Sequence, residues 1–109
     1  MVEYTLPLDD IFSSLADPTR RDILSRLVIR SLNVGQIAKD YDMSLAAVSK
    51  HLKVMEHAKL VIKQRRGKEH IVSIMPDTIR NIDEYLDSYR QLWERRLDSL
   101  EDYLNETEE

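Results

Sequence analysis

No cysteine occurs anywhere in the sequence. Disulfides, thiolate metal sites and thiol redox switches are thereby excluded. Glycine is nearly absent too. Gly35 and Gly67 are the only two, too few to build a glycine-rich phosphate loop. No apolar run approaches the length that spans a bilayer. The opening MVEYTLPLDD is acidic and lacks both a basic and an apolar signal region, so no signal peptide is expected and a cytoplasmic location is. Histidine is scarce: His51, His57 and His70 are too scattered to form a convincing zinc set. No serine–histidine–acid pattern stands out, so an enzyme is not expected.

What remains is a charged, helix-rich chain of single-domain length: 109 residues, 42% hydrophobic and 33% charged. Its charge is unevenly spread. From Ser44 to His70 there are seven basic residues (Lys50, Lys53, Lys59, Lys63, Arg65, Arg66, Lys68) and two acidic ones (Glu56, Glu69), a net of +5 in a chain whose total is −4. Met75 to Glu109 carries four basic and eleven acidic residues, a net of −7. A cationic island on an acidic protein is the footprint of a phosphate-binding surface.

The island coincides with two helical patterns, a tight turn and a hairpin. Leu8 to Leu15 reads as a short first helix with Leu8, Ile11, Phe12 and Leu15 on one face. Asp17-Pro18 is a helix start, with Asp17 as cap and Pro18 at the first helical position. That helix runs to about Ile29 with Ile23, Leu24 and Leu27 inward. Asn33, with Gln36 three residues on, resembles a capping box, and Ile37, Ala38 and Tyr41 give the next helix its apolar face. Asp42-Met43 is the turn and Ser44 the cap of the following helix.

In that helix Leu45, Val48, Leu52 and Met55 fall on the core side. Ala46, Lys50, Lys53 and His57 fall opposite, flanked by Ala47, Ser49 and Val54. Small residues at its start let the backbone approach a groove, and longer donors further on reach bases and phosphates. His51 sits beside the core face, placed to bond a neighbouring helix. Strands are expected over Val61–Arg66 and Glu69–Ile74, joined near Gly67-Lys68, with Val72 and Ile74 inward. Arg65, Arg66 and Lys68 cluster at the tip.

Pro76-Asp77 opens a long helix, about Thr78 to Asn105, followed by a frayed tail, Glu106 to Glu109. Ile79, Ile82, Leu86, Tyr89, Trp93, Leu97, Leu100 and Leu104 recur at near-heptad spacing. The stripe exceeds what the small core beside it can use, so part of it is expected to pack against a second copy.

The runs LADPTRRDIL, VGQIAKDYDMSLAAVSKHLKVMEHAKLV and RRGKEHIVSI, about Phe12 to Ile74, resemble the ArsR/SmtB family of small bacterial and archaeal repressors. The resemblance implies a homodimer whose first and last helices form the interface, here Leu8, Ile11, Phe12, Leu86, Tyr89, Trp93, Leu97, Leu100 and Leu104. It implies binding of double-stranded DNA at a roughly palindromic operator, often the protein's own promoter. Ser44, Ala46, Ala47, Ser49, Lys50, Lys53, Arg65, Arg66 and Lys68 would then be the DNA-binding residues.

Metal-sensing members use a Cys-x-Cys type motif before the turn, or Asp/His and His/Glu ligands on the last helix. Here SLNVGQIAK has no cysteine and the last helix no histidine. The chain resembles the metal-independent branch, with no metal and no cofactor expected and the effector unspecified.

The expected fold is mainly α with a small β-hairpin wing, an α+β winged helix-turn-helix in one domain of residues 1–109. Its helix-turn-helix spans about 34–58, its wing 61–74 and its C-terminal dimerisation helix 78–105. The rival reading is a winged-helix protein-interaction module, which would carry an exposed apolar patch on the recognition helix and little salt-sensitive DNA affinity.

Overall fold

The computed structural model describes residues 7–107. Residues 1–6, part of the stretch lacking a signal pattern, and residues 108–109 of the expected tail lie outside the described residues.

Helix ends are set largely by side chains that satisfy otherwise unpaired backbone groups. The first helix, α1 (Leu8–Leu15), has no side-chain cap at its start. Its last turn is closed instead by the arginine doublet that follows. Arg20 donates to the Ser14 and Ser13 carbonyls at 2.8 and 3.2 Å, and Arg21 to the Leu15 carbonyl at 2.8 Å.

Helix α2 (Pro18–Ile29) starts as the sequence indicates. Pro18 occupies its first turn, and the Asp17 carboxylate accepts from Arg20 N–H at 2.9 Å. That hydrogen bond, ahead of the nearby Arg20 charge, holds the Asp17 carboxyl below its ordinary value.

A two-residue strand, β1 (Leu32–Asn33), leads into α3 (Val34–Asp40). Asn33 Oδ1 accepts from Gly35 N–H at 2.7 Å and from Gln36 N–H at 3.3 Å, capping α3. A Cβ on Gly35 would approach that same oxygen to 3.1 Å, so glycine leaves room for the cap. Helix α4 (Leu45–His57) is capped by Ser44 Oγ, which accepts from Ala47 N–H at 3.1 Å.

Helices α3 and α4 end alike. Asp42 N–H bonds to Lys39 O and Met43 N–H to Ala38 O, at 3.2 and 2.9 Å; Lys59 N–H bonds to Glu56 O and Leu60 N–H to Met55 O, at 2.9 and 3.0 Å. This is the Schellman pattern, which calls for a left-handed residue and usually takes glycine. Asp42 (φ 52°) and Lys59 (φ 61°) hold those positions here.

After Lys59 the chain forms β2 (Val61–Arg66) and β3 (Glu69–Ile74), joined at Gly67 (φ 64°) and Lys68. Positive φ at the first loop residue is where a II′ hairpin turn takes glycine. Val61 pairs with Ile74 and Arg66 with Glu69; β1 adds to the other edge of β3, giving the antiparallel order β1-β3-β2. Helices α1 to α4 with this sheet form a winged helix-turn-helix.

Its core holds Ile11, Ile23, Leu27, Ile37, Val48, Leu52, Met55, Leu60 and Val72, all at most 2% exposed. Each such burial contributes about 1.5–3 kcal/mol.

Helix α5 (Pro76–Thr107) has 32 residues, about 48 Å at 1.5 Å per residue. It begins two residues before the expected Thr78 and includes Glu106 and Thr107, which the sequence reading put in the frayed tail. The division between the two compact units of the chain falls inside it, after Thr78. In the second unit Leu86, Tyr89, Leu92, Trp93, Leu97, Leu100, Tyr103 and Leu104 are 45–65% exposed. Tyr85 and Tyr89 meet edge to face, ring centroids 5.2 Å apart, and Arg90 pairs with Asp87.

Three expectations are corrected. Leu45, assigned to the core face, is 61% exposed. Helical phase tells which side faces the core, not where along the axis the core ends, and it ends at Val48. Ile11, assigned to the dimer interface, is 0% exposed and belongs to the protomer's own core, whereas Phe12 beside it is 46% exposed. The strand β1 was not anticipated, because two residues carry no periodic signal.

Candidate nucleic-acid interface

The surface that the sequence singles out is built by α4 and the wing β2–β3. Helix α4 is held on three sides. It packs against α3, and on its core side Val48 and Leu52 are at most 1% exposed. Toward α1 and α2 it places His51, whose Nδ1 lies 3.3 Å from Arg20 Nη1 and 3.9 Å from Asp17 Oδ2. Arginine is always a donor, so the imidazole nitrogen facing it is the acceptor. Arg20 thus joins the end of α1 to the middle of α4, the neighbouring-helix bond expected of His51. His57 Nε2, one and a half turns on, lies 3.6 Å from Asp10 Oδ2 of α1.

Helix α3 is tied to α2 by a second polar set. Arg26 bonds Asp40 at 2.6 Å and lies over the Tyr41 ring at 5.4 Å, and the Tyr41 hydroxyl donates to Asp22. Burial, then the bond to Asp22, raises the Tyr41 phenol above its ordinary value. These contacts fix the helix-turn-helix from behind and leave one face of α4 free.

That face is open. Ser44, Ala46, Ser49, Lys50 and Lys53 are exposed, and Ala47 is half-buried. The wing is exposed from Ile62 to His70. Among the described residues, no ion pair involves Lys50, Lys53, Lys63, Arg66 or Lys68. Cations that have no carboxylate of their own are available to an external anion. Arg65 is engaged locally, its Nε donating to Gly67 O at 3.0 Å.

The wing does not gather its cations at one point. Residues paired across an antiparallel ladder share a face, and neighbours along a strand lie on opposite faces. Lys63, Arg65 and His70 therefore share the face of Val61, Val72 and Ile74, while Arg66 and Glu69 lie on the other. Arg65 and Arg66, expected together, point to opposite sides.

Lys63, Lys68 and His70 join Leu45 and Ser49 around a groove of about 410 Å³ that also touches Asn33, Val34 and Gly35. Leu45, Lys63 and His70 are not among the residues expected at the interface, and the groove adds them as candidates. The signal for Lys63 and His70 was present: a two-residue loop at Gly67-Lys68 fixes the register, and inward Val72 and Ile74 then fix which partners share their face. A depression of about 490 Å³ between α1 and α4, lined by Asp10, Ser13, Lys53, Val54 and His57, holds Lys53 at its rim.

Comparison with known proteins bears directly on this geometry. A helix-turn-helix domain model matches residues 15–64. The HTH-type transcriptional regulator Rv2034 of Mycobacterium tuberculosis is 37% identical over 97 residues, 89% of this chain and 87% of that one. The crystal structure of an ArsR family transcriptional regulator, RHA00566, is similar with a TM-score of 0.75 at 32% identity, covering 86% of this chain and 97% of the other. The chain belongs to the ArsR family. As an ArsR-family protein it is a DNA-binding transcriptional regulator, and its winged helix-turn-helix is that family's fold. A solution structure described as the homodimeric winged helix-turn-helix DNA-binding domain of Mb0332 from Mycobacterium bovis shares the fold: TM-score 0.63, 24% identity, 81% of this chain and 82% of that domain.

Among the described residues of this ArsR-family regulator, no three His, Asp or Glu side chains converge in a group placed to hold a metal ion. None of its described helices is long and apolar enough to cross a membrane.

Proposed function

We propose that this regulator binds a twofold-symmetric operator as a homodimer and represses from it, with α4 in the major groove and the wing on the flanking backbone. The observation that carries this reading is the run of exposed cations on α4 and the wing, without an ion pair among the described residues, beside small residues at the start of α4. Lys50 and Ser49 reach base edges; Lys53, Lys63, Arg66 and Lys68 contact phosphates. The dimer is formed by α5 with Leu8 and Phe12 of α1, since eight large apolar side chains at 45–65% exposure exceed what a lone helix leaves in water. A twofold pair places the two α4 helices about one DNA turn apart, roughly 34 Å. The whole chain acts as one regulatory module in the cytoplasm, by binding rather than catalysis.

Control of this regulator is independent of thiophilic metals. Thiolates are absent, and two of the three imidazoles are committed to Arg20, Asp17 and Asp10 within the chain. Borderline ions need imidazole and thiolate ligands for tight binding.

Gel-shift titrations of the genomically selected operator at several salt concentrations test the reading. Lys50→Ala should weaken binding by roughly 1–3 kcal/mol and relax base preference. Lys68→Ala should weaken binding to all sequences and flatten the salt slope. Wild-type affinity should be the same in EDTA as with one equivalent of zinc. Unchanged affinity in both variants would remove DNA from this face.

The protein-interaction reading draws on one observation, the exposure of Leu45 on α4. Leu45 and the half-buried Val34 are the large apolar side chains of that groove, and Lys63, Lys68, Glu69 and His70 around them break up an apolar patch.

A further inference from the structure

Leu45 stands out among the exposed side chains of α4. It is the first residue of the helix and is 61% exposed. It lies in the groove between α4 and the wing, which Val34, Ser49, Lys63, Lys68, Glu69 and His70 also line. We propose that Leu45 is a specificity-determining residue of the operator complex and reads the C5-methyl group of a thymine in each half-site. The proposal deepens the DNA-binding reading above and rests on it.

The chemistry at the tip of α4 leaves one kind of readout. In helix-turn-helix proteins the N-terminal residues of the recognition helix contact base edges. Here the first turn is Leu45, Ala46 and Ala47. Ser44 Oγ is occupied by the cap, accepting from Ala47 N–H at 3.1 Å. Val48 is fully buried. Within α4 itself no donor or acceptor side chain precedes Ser49, the Ser44 hydroxyl before it being held at the cap, and Leu45 alone in this turn extends beyond Cβ. Of the groups that base pairs present in the major groove, the thymine methyl is the apolar one. A leucine at that place recognises it by removing both apolar surfaces from water.

The charge around Leu45 selects the same partner. Lys63 and Lys68 border the groove and make no ion pair among the described residues, and Glu69 is the single carboxylate lining it. An apolar protein surface docking on Leu45 would desolvate two unpaired ammonium groups. A phosphate backbone beside the thymine satisfies them.

The test replaces the thymines of the operator one position at a time, in both half-sites, by deoxyuridine, which lacks only the methyl group. Wild-type protein should lose about fourfold per half-site at one position, the value of one buried methyl group. Leu45→Ala should bind the normal operator more weakly and show no difference between thymine and uracil there. Lys50→Ala should keep that difference while losing affinity overall. Leu45 is exposed and alanine is a strong helix former, so thermal melts of Leu45→Ala should match wild type. Wild-type binding indifferent to uracil at every position overturns the proposal. So does a Leu45→Ala profile identical to wild type, which would assign the side chain to a protein partner. If Lys50→Ala and Lys68→Ala also bind like wild type, the DNA face itself is wrong, not only the role of Leu45.

Discussion

In the first unit Leu52, Met55, Leu60 and Val72 are no more than 1% exposed; in α5 Leu86, Trp93, Leu97 and Leu104 are 45–65% exposed. Both sets follow an apolar periodicity that a sequence displays equally well. Periodicity states that a face needs burial, not what buries it. The winged helix-turn-helix supplies its own cover: α1, α2, α3 and the sheet enclose one side of α4. Helix α5 carries eight large side chains with about half of their surface or more left in water. The first unit covers its apolar residues itself; the second leaves its own to whatever the proposed dimer supplies.

Four experiments would break or sharpen that contrast. The largest effect is expected from Leu97→Asp. If α5 closes a dimer interface, an uncompensated charge there costs about 3–5 kcal/mol and should convert dimers into monomers in sedimentation velocity runs. A wild-type protein that sediments as a compact monomer at micromolar concentration would defeat the assignment of α5. Leu52→Ala comes next. It empties space inside the first unit and should lower the urea unfolding free energy by about 2–5 kcal/mol, at a midpoint shift independent of the dimer.

A smaller change of opposite sign is expected at Lys59. Its left-handed conformation costs about 1 kcal/mol that glycine does not bear. Lys59→Gly should therefore raise the melting temperature by a few degrees, offset in part by the freer unfolded chain. A lower melting temperature would mean that the Lys59 side chain contributes more than its backbone loses.

The smallest effect is a pH dependence at Asp17. Its folded carboxyl titrates below the ordinary 3.8, chiefly because it accepts Arg20 N–H. A depressed acid stabilises the fold above its unfolded value and loses that contribution as pH falls through the folded one. Urea midpoints should drop in wild type from about pH 4 downward. Asp17→Asn keeps a capping oxygen without titrating and should lose that share of the drop. Parallel curves for the two proteins would show the cap to be energetically idle.

The sequence disclosed the elements whose signals are local. Asp17-Pro18 and Ser44 mark helix starts by the chemistry of unpaired N–H groups, and the structure uses both as read. The hairpin was legible to the residue because a two-residue glycine loop joins strands whose apolar residues lie at their far ends, Val61-Ile62 and Ile71 to Ile74. The site was legible as a charge distribution and less so as a geometry. Arg65 and Arg66 were grouped by proximity although strand alternation separates them. Leu45 was assigned by phase although its place on the axis lies past the core. Ile11 was assigned by analogy to an interface although Ile23, Leu27 and Met55 share its core. Asp42 and Lys59 gave no sign of their left-handed backbone, since the usual flag is glycine. The strand β1 depends on Ile71 and Val72, some forty residues on, and no local window contains that information.

Asn33 holds two posts at once. Its backbone pairs with Ile71 at the edge of the sheet, and its side chain caps α3 through Gly35 and Gln36. Breaking the β1–β3 pairing frees the residue that caps the first helix of the helix-turn-helix. Opening of the sheet edge and fraying of α3 are thereby one fluctuation rather than two. With only two residue pairs closing a forty-residue loop, that edge is the cheapest part of the sheet to open. In hydrogen exchange the amides of Gly35, Gln36 and Val72 should lose protection together, a shared breathing motion of α3 and the sheet edge.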